Sequence, residues 1–368
     1  MATYFVTQNG AGAFDGSDWD NAFRETDRGT WFNNGHTAYI RGDMTASSDW
    51  RNASADNFRI IGVKPGTTST SPTLSDMAFG SDRPTINLGT YFCQPDTYNQ
   101  WCNLQMTSSN QFYTLNLDVG ALVYNCKIGN TGNGNALNLV ADSNRIIGSE
   151  FYGPSAAGKA GIYGTTSVNN TQIFGCLVHD CINGILMGGL NTLLYSVVHG
   201  GTGGSGFGCQ FNGNNNLVMH SVIDDWNNGL ECDTGAVVLN NMITNNTVAG
   251  FASSSGIHFV EDGNNWYNNG TDWDVGASNI LNAWGRGRQA LTEDPQYTDT
   301  ANHDFTSGNA NLLGVGLGVI KWSDMITGDF EYDVGMAQTL AAGGGAPGLA
   351  ESAGGIGEGP WSMADLGA

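Results

Sequence analysis

The chain has 368 residues, of which 54 are glycine and 40% are apolar. Only 13% are charged, and the net charge is −21 with an isoelectric point near 4.3. This balance excludes nucleic acid as a partner, because phosphate neutralisation needs clustered Lys and Arg; between 94 and 285 the only basic residues are Lys127, Arg145 and Lys159. No apolar stretch reaches the length of a membrane span, the opening MATYFVTQNG has no secretory pattern, and the seven cysteines lack the paired spacing of a disulfide framework.

The first 35 residues read as an N-terminal cap. A strand at 3–7 leads through a Gly-rich turn into SDWDNAFRE at 17–25, with Ser17 as N-cap and Trp19, Ala22 and Phe23 on one face of a short helix. Strand-like AYIRG (38–42) and FRIIGVK (58–64) follow as irregular first rungs. Residues 65–104 carry Pro, Ser and Thr clusters and read as a loop-rich excursion.

From about 105 to 285 a short phrase recurs. Its copies are LVYNCKIGN from 122, IIGSEFYG from 146, IFGCLVHD from 173, LLYSVVHG from 193, LVMHSVIDD from 217 and VVLNNMITN from 237. Aligning Cys126, Ser149, Cys176, Ser196, Ser221 and Asn241 gives steps of 23, 27, 20, 25 and 20 residues. A second phrase, a small residue then apolar-x-apolar, runs in phase: NALNL, AGIYG, NGILM, SGFGCQF, NGLEC and AGFAS. Two interleaved strands per repeat without helical periodicity indicate a solenoid of β-coils. Cys126 and Cys176 share one column, and Cys209 and Cys232 another, so they are expected as small buried hydrophobes. Cys93 and Cys102 are near enough in sequence to pair. Asn130, Asp180, Asp225 and Asn245 fall just after the first strand, where stacked amides and acids can hydrogen-bond along the column.

Residues 286–340 are expected to close the far end. The Gly/Ala-rich stretch 341–368 is linker-like in composition but carries Pro360, Trp361, Met363 and Leu366, which we expect to anchor it on a neighbouring chain. The domain reading is therefore an N-terminal cap (1–35), a β-helix (36–340) and a partner-docking tail (341–368).

The repeat resembles that of the right-handed, single-stranded parallel β-helix superfamily, the pectate-lyase-like fold, over about 35–340. The opening TYFVTQNGAGAFDGSDWDNAF and the phrase DVGMAQ at 333–338 are similar to the opening and closing phrases of such proteins. The resemblance implies an all-β solenoid and a relationship to polysaccharide lyases, glycoside hydrolases, adhesins and phage tailspikes, not one activity. Lyases of this fold use calcium-binding acids with a catalytic Arg, yet 146–285 contains no Arg. Of the polygalacturonase motifs only the Asp224–Asp225 pair is present, and His199 follows Val198 where that family has glycine.

The densest titratable patch lies at 224–233. Alternation points Leu230 and Cys232 inward and places Glu231 and Asp233 on one outer face, with carboxylates about 6–7 Å apart, a separation that overlaps that of an inverting glycosidase. Asp224 stands in a column with His199 and His179. Trp226 is a candidate sugar-stacking residue, with Tyr163 and Asp225 as further glycan contacts. No metal site is expected, because no third Cys or His joins His179 and His199 at zinc spacing; Ca²⁺ on the acidic patch is the one cofactor considered.

The first reading is a non-catalytic structural component of a tailed-phage virion, a decoration, fibre or spike on the particle surface, whose partners are other virion proteins or copies of itself as in a homotrimer. The alternatives are a polysaccharide depolymerase using Glu231, Asp233 and Asp224, and a glycan-binding adhesin.

Overall fold

A computed structural model describes residues 2–51, 56–153, 156, 158–200, 206–253, 260–275 and 291–312. Residues Pro360, Trp361, Met363 and Leu366, with the whole stretch 313–368, lie outside the described residues. The chain is a right-handed parallel β-helix of about 10 turns. Three parallel sheets run its length, of twelve, ten and ten strands among the described residues, and each rung contributes one short strand to each in turn. In one such rung the strands are Leu217–Met219 in the first sheet, Val222–Asp224 in the second and Asn228–Cys232 in the third.

The sequence columns have distinct physical causes. The turn from first to second sheet uses one left-handed residue per rung, including Asn125, Gly148, Gly175, Tyr195, His220 and Asn240. The next residue is the Ser/Cys/Asn column. Its side chain lies inside and accepts the backbone N–H of the same column one rung earlier: Cys126 donates to Ser149 Oγ (3.0 Å), Ser196 to Ser221 Oγ (3.2 Å) and Ser221 to Asn241 Oδ1 (3.0 Å). Where the later residue is Ser or Asn, its side chain thereby satisfies a buried N–H that no strand can reach. The second-to-third turn uses Asp180, Asp225, Asn245 and Asn268, all at positive φ, a conformation that Asn and Asp tolerate best. Side-chain stacking in that column is confined, among the contacts seen, to Asn268 donating to Asn245 at 2.9 Å.

The small residue that opens the third-sheet phrase sits at a tight inner corner. A Cβ at Gly161, Gly184 or Gly208 would come within 2.5–2.7 Å of the inward Val178, Val198 or Ile223 of the second sheet. Gly208 is thus a buried corner residue. Only the following residues alternate, with Leu230 and Cys232 fully buried and Glu231 partly exposed.

Two stretches of chain fold back over the outside of the solenoid. In the 65–104 region, short strands at Thr85–Asn87, Cys93–Gln94 and Gln100–Cys102 complete a rung; at two or three residues they show no readable alternation. What leaves the coil is its earlier part, whose Met77 packs with Phe5, Trp19, Ile61 and Cys102 on the first sheet. The second stretch, 291–312, carries a two-stranded antiparallel hairpin, Tyr297–Asp299 with Asp304–Ser307. Its Phe305 and Leu312 cover the outward Leu177, Val197, Val222 and Met242 of the second sheet.

The opening strand Thr3–Thr7 pairs in parallel with Thr37–Arg41, so it is already part of the first sheet. The short helix after it is a 3₁₀ turn, Trp19–Asn21, capped by Asp18, whose carboxylate accepts from Asp20 and Asn21, and not by Ser17. All seven cysteines are buried and unpaired. Cys93 lies in the third sheet and Cys102 in the first, and they belong to different clusters, so they form no bridge. Burial pushes the thiols up, Cys126 to about 11 and Cys176 to about 12, which makes them inert packing residues.

Candidate functional sites on the third and second sheets

Glu231 stands on the outer face of the third sheet, and Asp233 follows the end of its strand. Parallel register places Asn116, Asn138, Tyr163, Leu186, Gln210, Glu231, Ala252 and Asp274 in one outward column. Glu231 is partly buried and accepts a hydrogen bond from Gln210 Nε2 at 3.1 Å. Burial raises its carboxyl above the usual range; the Gln210 bond opposes this and the Asp233 charge adds to it. Asp233 follows directly after the strand and is also partly exposed. A carboxyl whose hold on its proton is strengthened by burial, beside a second acid, is an arrangement suited to general acid–base chemistry. Tyr163 stands three rungs from Glu231, about 14 Å at the spacing of neighbouring strands. It can touch the same extended polymer but not the same sugar.

Trp226 does not belong to this face. It is fully buried, its Nε1 donates to the Val198 carbonyl at 3.1 Å, and its ring lies against the glycine corner: a Cβ on Gly184 would be 3.2 Å from its Cζ2, and one on Gly208 2.8 Å from its Cδ1. The indole fills the volume that the glycines vacate, so it is a core residue and cannot stack on a sugar. Asp224 is likewise displaced from the proposed catalytic set. It is buried on the outer side of the second sheet, where it pairs with His199 Nδ1 (3.1 Å) and accepts from Thr244 Oγ1 (2.6 Å) and Asn245 Nδ2 (2.7 Å). With its oxygens so engaged it is a fixed structural acid. Asp225 holds the left-handed turn; burial and the neighbouring Asp224 charge raise its carboxyl.

A second cluster, missed by sequence reasoning, forms on the second sheet. The register His179–His199–Asp224 holds as expected. His179 Nδ1 lies 2.8 Å from Asp180 Oδ2 and its Nε2 lies 3.0 Å from Glu150 Oε1, which in turn meets Lys127 Nζ at 2.6 Å. His303, more than a hundred residues further on, arrives on the terminal hairpin with its ring centroid 4.2 Å from that of His179 and 6.1 Å from that of His199. No local spacing announces this meeting. The only sequence signal is the unbroken apolar column Leu177, Val197, Val222 and Met242 on an outward position, which requires a cover.

No protein-family profile matches the chain, and no curated protein is similar to it in sequence. Its fold is similar to that of solved structures. Pectate lyase Pel9A superposes with a TM-score of 0.54 at 12% identity, covering 82% of this chain and 84% of that one. The Dettilon tailspike protein superposes with a TM-score of 0.43 at 11% identity over 72% of this chain and 60% of that one. At 12% identity the likeness to Pel9A shows the parallel β-helix fold alone.

Proposed function

We propose that this chain is a polysaccharide-acting β-helix that holds its glycan along the outer face of the third sheet, with Glu231 as proton donor and Asp233 as the partner base. One observation carries the reading: a carboxyl raised by burial, steadied by Gln210 and set beside a second acid on a partly open face. The column it belongs to offers amides at Asn138 and Gln210 and a phenol at Tyr163, groups suited to sugar hydroxyls, while Asn116 is buried and accepts from the Asn138 amide. This moves the depolymerase reading ahead of the non-catalytic one preferred from sequence, and it removes Trp226 and Asp224 from the site. Mounted on a virion surface, as the sequence reading expects, the same face would meet host glycan.

The test is electrophoretic retardation in gels cast with individual neutral and acidic bacterial polysaccharides. The reading expects at least one to slow the wild type saturably, with Tyr163→Ala and Gln210→Ala weakening the effect. Absence of retardation by every polysaccharide, or retardation indifferent to both substitutions, would remove the third sheet as a glycan face.

A further inference from the structure

The second-sheet cluster has a geometry that hydrogen bonding alone leaves incomplete. His303 closes the 3₁₀ turn Thr300–Asn302 in a left-handed conformation, φ 59°. The hairpin that carries it is fixed on the sheet by fully buried Phe305 and by Tyr297 Oη at 3.1 Å from Thr244 Oγ1. Its position is therefore imposed by packing. Yet His303 Nδ1 is buried without a hydrogen-bond partner among the described residues. A buried ring nitrogen with no partner costs free energy unless something else satisfies it.

Asp180 and His179 stand beside His303. The left-handed turn at Asp180 brings its carboxylate to His179 Nδ1, and one ligand atom from each of His179, Asp180 and His303 lies within 4.8 Å of the other two. Ligands about 2.0–2.1 Å from a tetrahedral ion stand roughly 3.3 Å apart, so small rotamer adjustments would close the set. Glu150, on the far nitrogen of His179 and held by Lys127, occupies the place of the carboxylate that orients a metal-bound imidazole.

We propose that His179, Asp180 and His303 form a binding site for a transition-metal dication of the Zn²⁺ class, which clamps the terminal hairpin onto the second sheet. Two imidazoles and one carboxylate select Zn²⁺, Co²⁺ or Ni²⁺ over Ca²⁺ and Mg²⁺, which want oxygen. Glu150 is a positioning residue that acts through His179. His199 is engaged with Asp224 and lies outside the ligand set. The inference does not depend on the glycan reading, because the two sites lie on different sheets.

The experiment uses the full chain, stripped by chelator and then titrated with Co²⁺, followed by its visible absorption, and with Zn²⁺, followed by calorimetry. The proposal expects one saturable equivalent and a melting temperature that rises with Zn²⁺ but not with Ca²⁺. Asp180→Asn, at a partly exposed side chain, and His303→Gln should each weaken binding at least a hundredfold. Glu150→Gln should weaken it about 10–100-fold, while His199→Gln retains it. Far-UV circular dichroism checks that each variant keeps its β signal. A wild type that binds neither ion up to millimolar concentration would overturn the proposal. So would binding that survives undiminished in folded His303→Gln and Asp180→Asn proteins.

Discussion

Replacing Trp226 separates the interior from the surface reading of the 224–233 rung. The indole is fully buried, donates to the Val198 carbonyl, and is wedged against Gly184 and Gly208. Those glycines belong to strands held by parallel ladders on both sides, so the backbone cannot collapse into the space left by truncation. Trp226→Ala should therefore approach the full cost of a buried aromatic truncation, about 3–5 kcal/mol. The stranded carbonyl accounts for about 1 kcal/mol of that order. Trp226→Phe keeps most of the volume and should cost about 1–2 kcal/mol, mainly the hydrogen bond. With a urea m-value of about 3 kcal/mol/M, the alanine variant should lower the midpoint by roughly 1–1.7 M. The assay is equilibrium urea unfolding followed by far-UV circular dichroism, because fluorescence would change with the indole itself. A repeat protein can unfold in segments, so the first transition is the one to compare. A shift below about 0.2 M would refute the packing argument and return Trp226 to the surface.

Other consequences follow from the same geometry. Gly208→Ala places a methyl 2.6 Å from the Gly229 carbonyl and 2.7 Å from Ile223 Cγ2, and should destabilise by about 1–3 kcal/mol in the same unfolding assay; a neutral substitution would contradict the corner packing. If Glu231 donates the proton in catalysis, the rate must fall as pH rises through its raised pKa. Gln210→Ala removes an interaction that lowers that pKa and should move the alkaline limb up, whereas Asp233→Asn removes a charge that raises it and should move the limb of any residual rate down. Equal shifts of one sign in the pH–rate profiles would refute the assignment. A thiol reagent should find essentially no reactive cysteine in the native protein and all seven after denaturation without reductant; recovery of five would mean one disulfide.

Much of the fold was legible because a solenoid repeats its physics. Each column answers one local demand, so six copies of Ser, Cys or Asn after a left-handed residue expose the turn, and six small residues expose the corner. The outward place of Glu231 was legible for the same reason, since it alternates with Leu230 and Cys232. Trp226 was misread because it stands alone where neighbouring rungs have Cys181, Asn246 or Asn269. Its complement, glycine at 184 and 208 in earlier rungs, lies 42 and 18 residues away in sequence, and only the register brings them together. The cover on the second sheet has no repeat to advertise it. His303 reaches His179 through tertiary packing of Phe305, which periodicity within a rung cannot express.

The central claim is that the third sheet acts on polysaccharide through Glu231, and chain-end release tests it most directly. Wild type, Glu231→Gln and Asp233→Asn proteins of matched melting temperature would be incubated with each polysaccharide that retards the wild type. New reducing ends and unsaturated ends would be counted separately. The account predicts new reducing ends without unsaturation from the wild type, none from Glu231→Gln, and a strongly reduced yield from Asp233→Asn. A wild type that binds but releases no ends, or a Glu231→Gln protein that cleaves as fast, would contradict it.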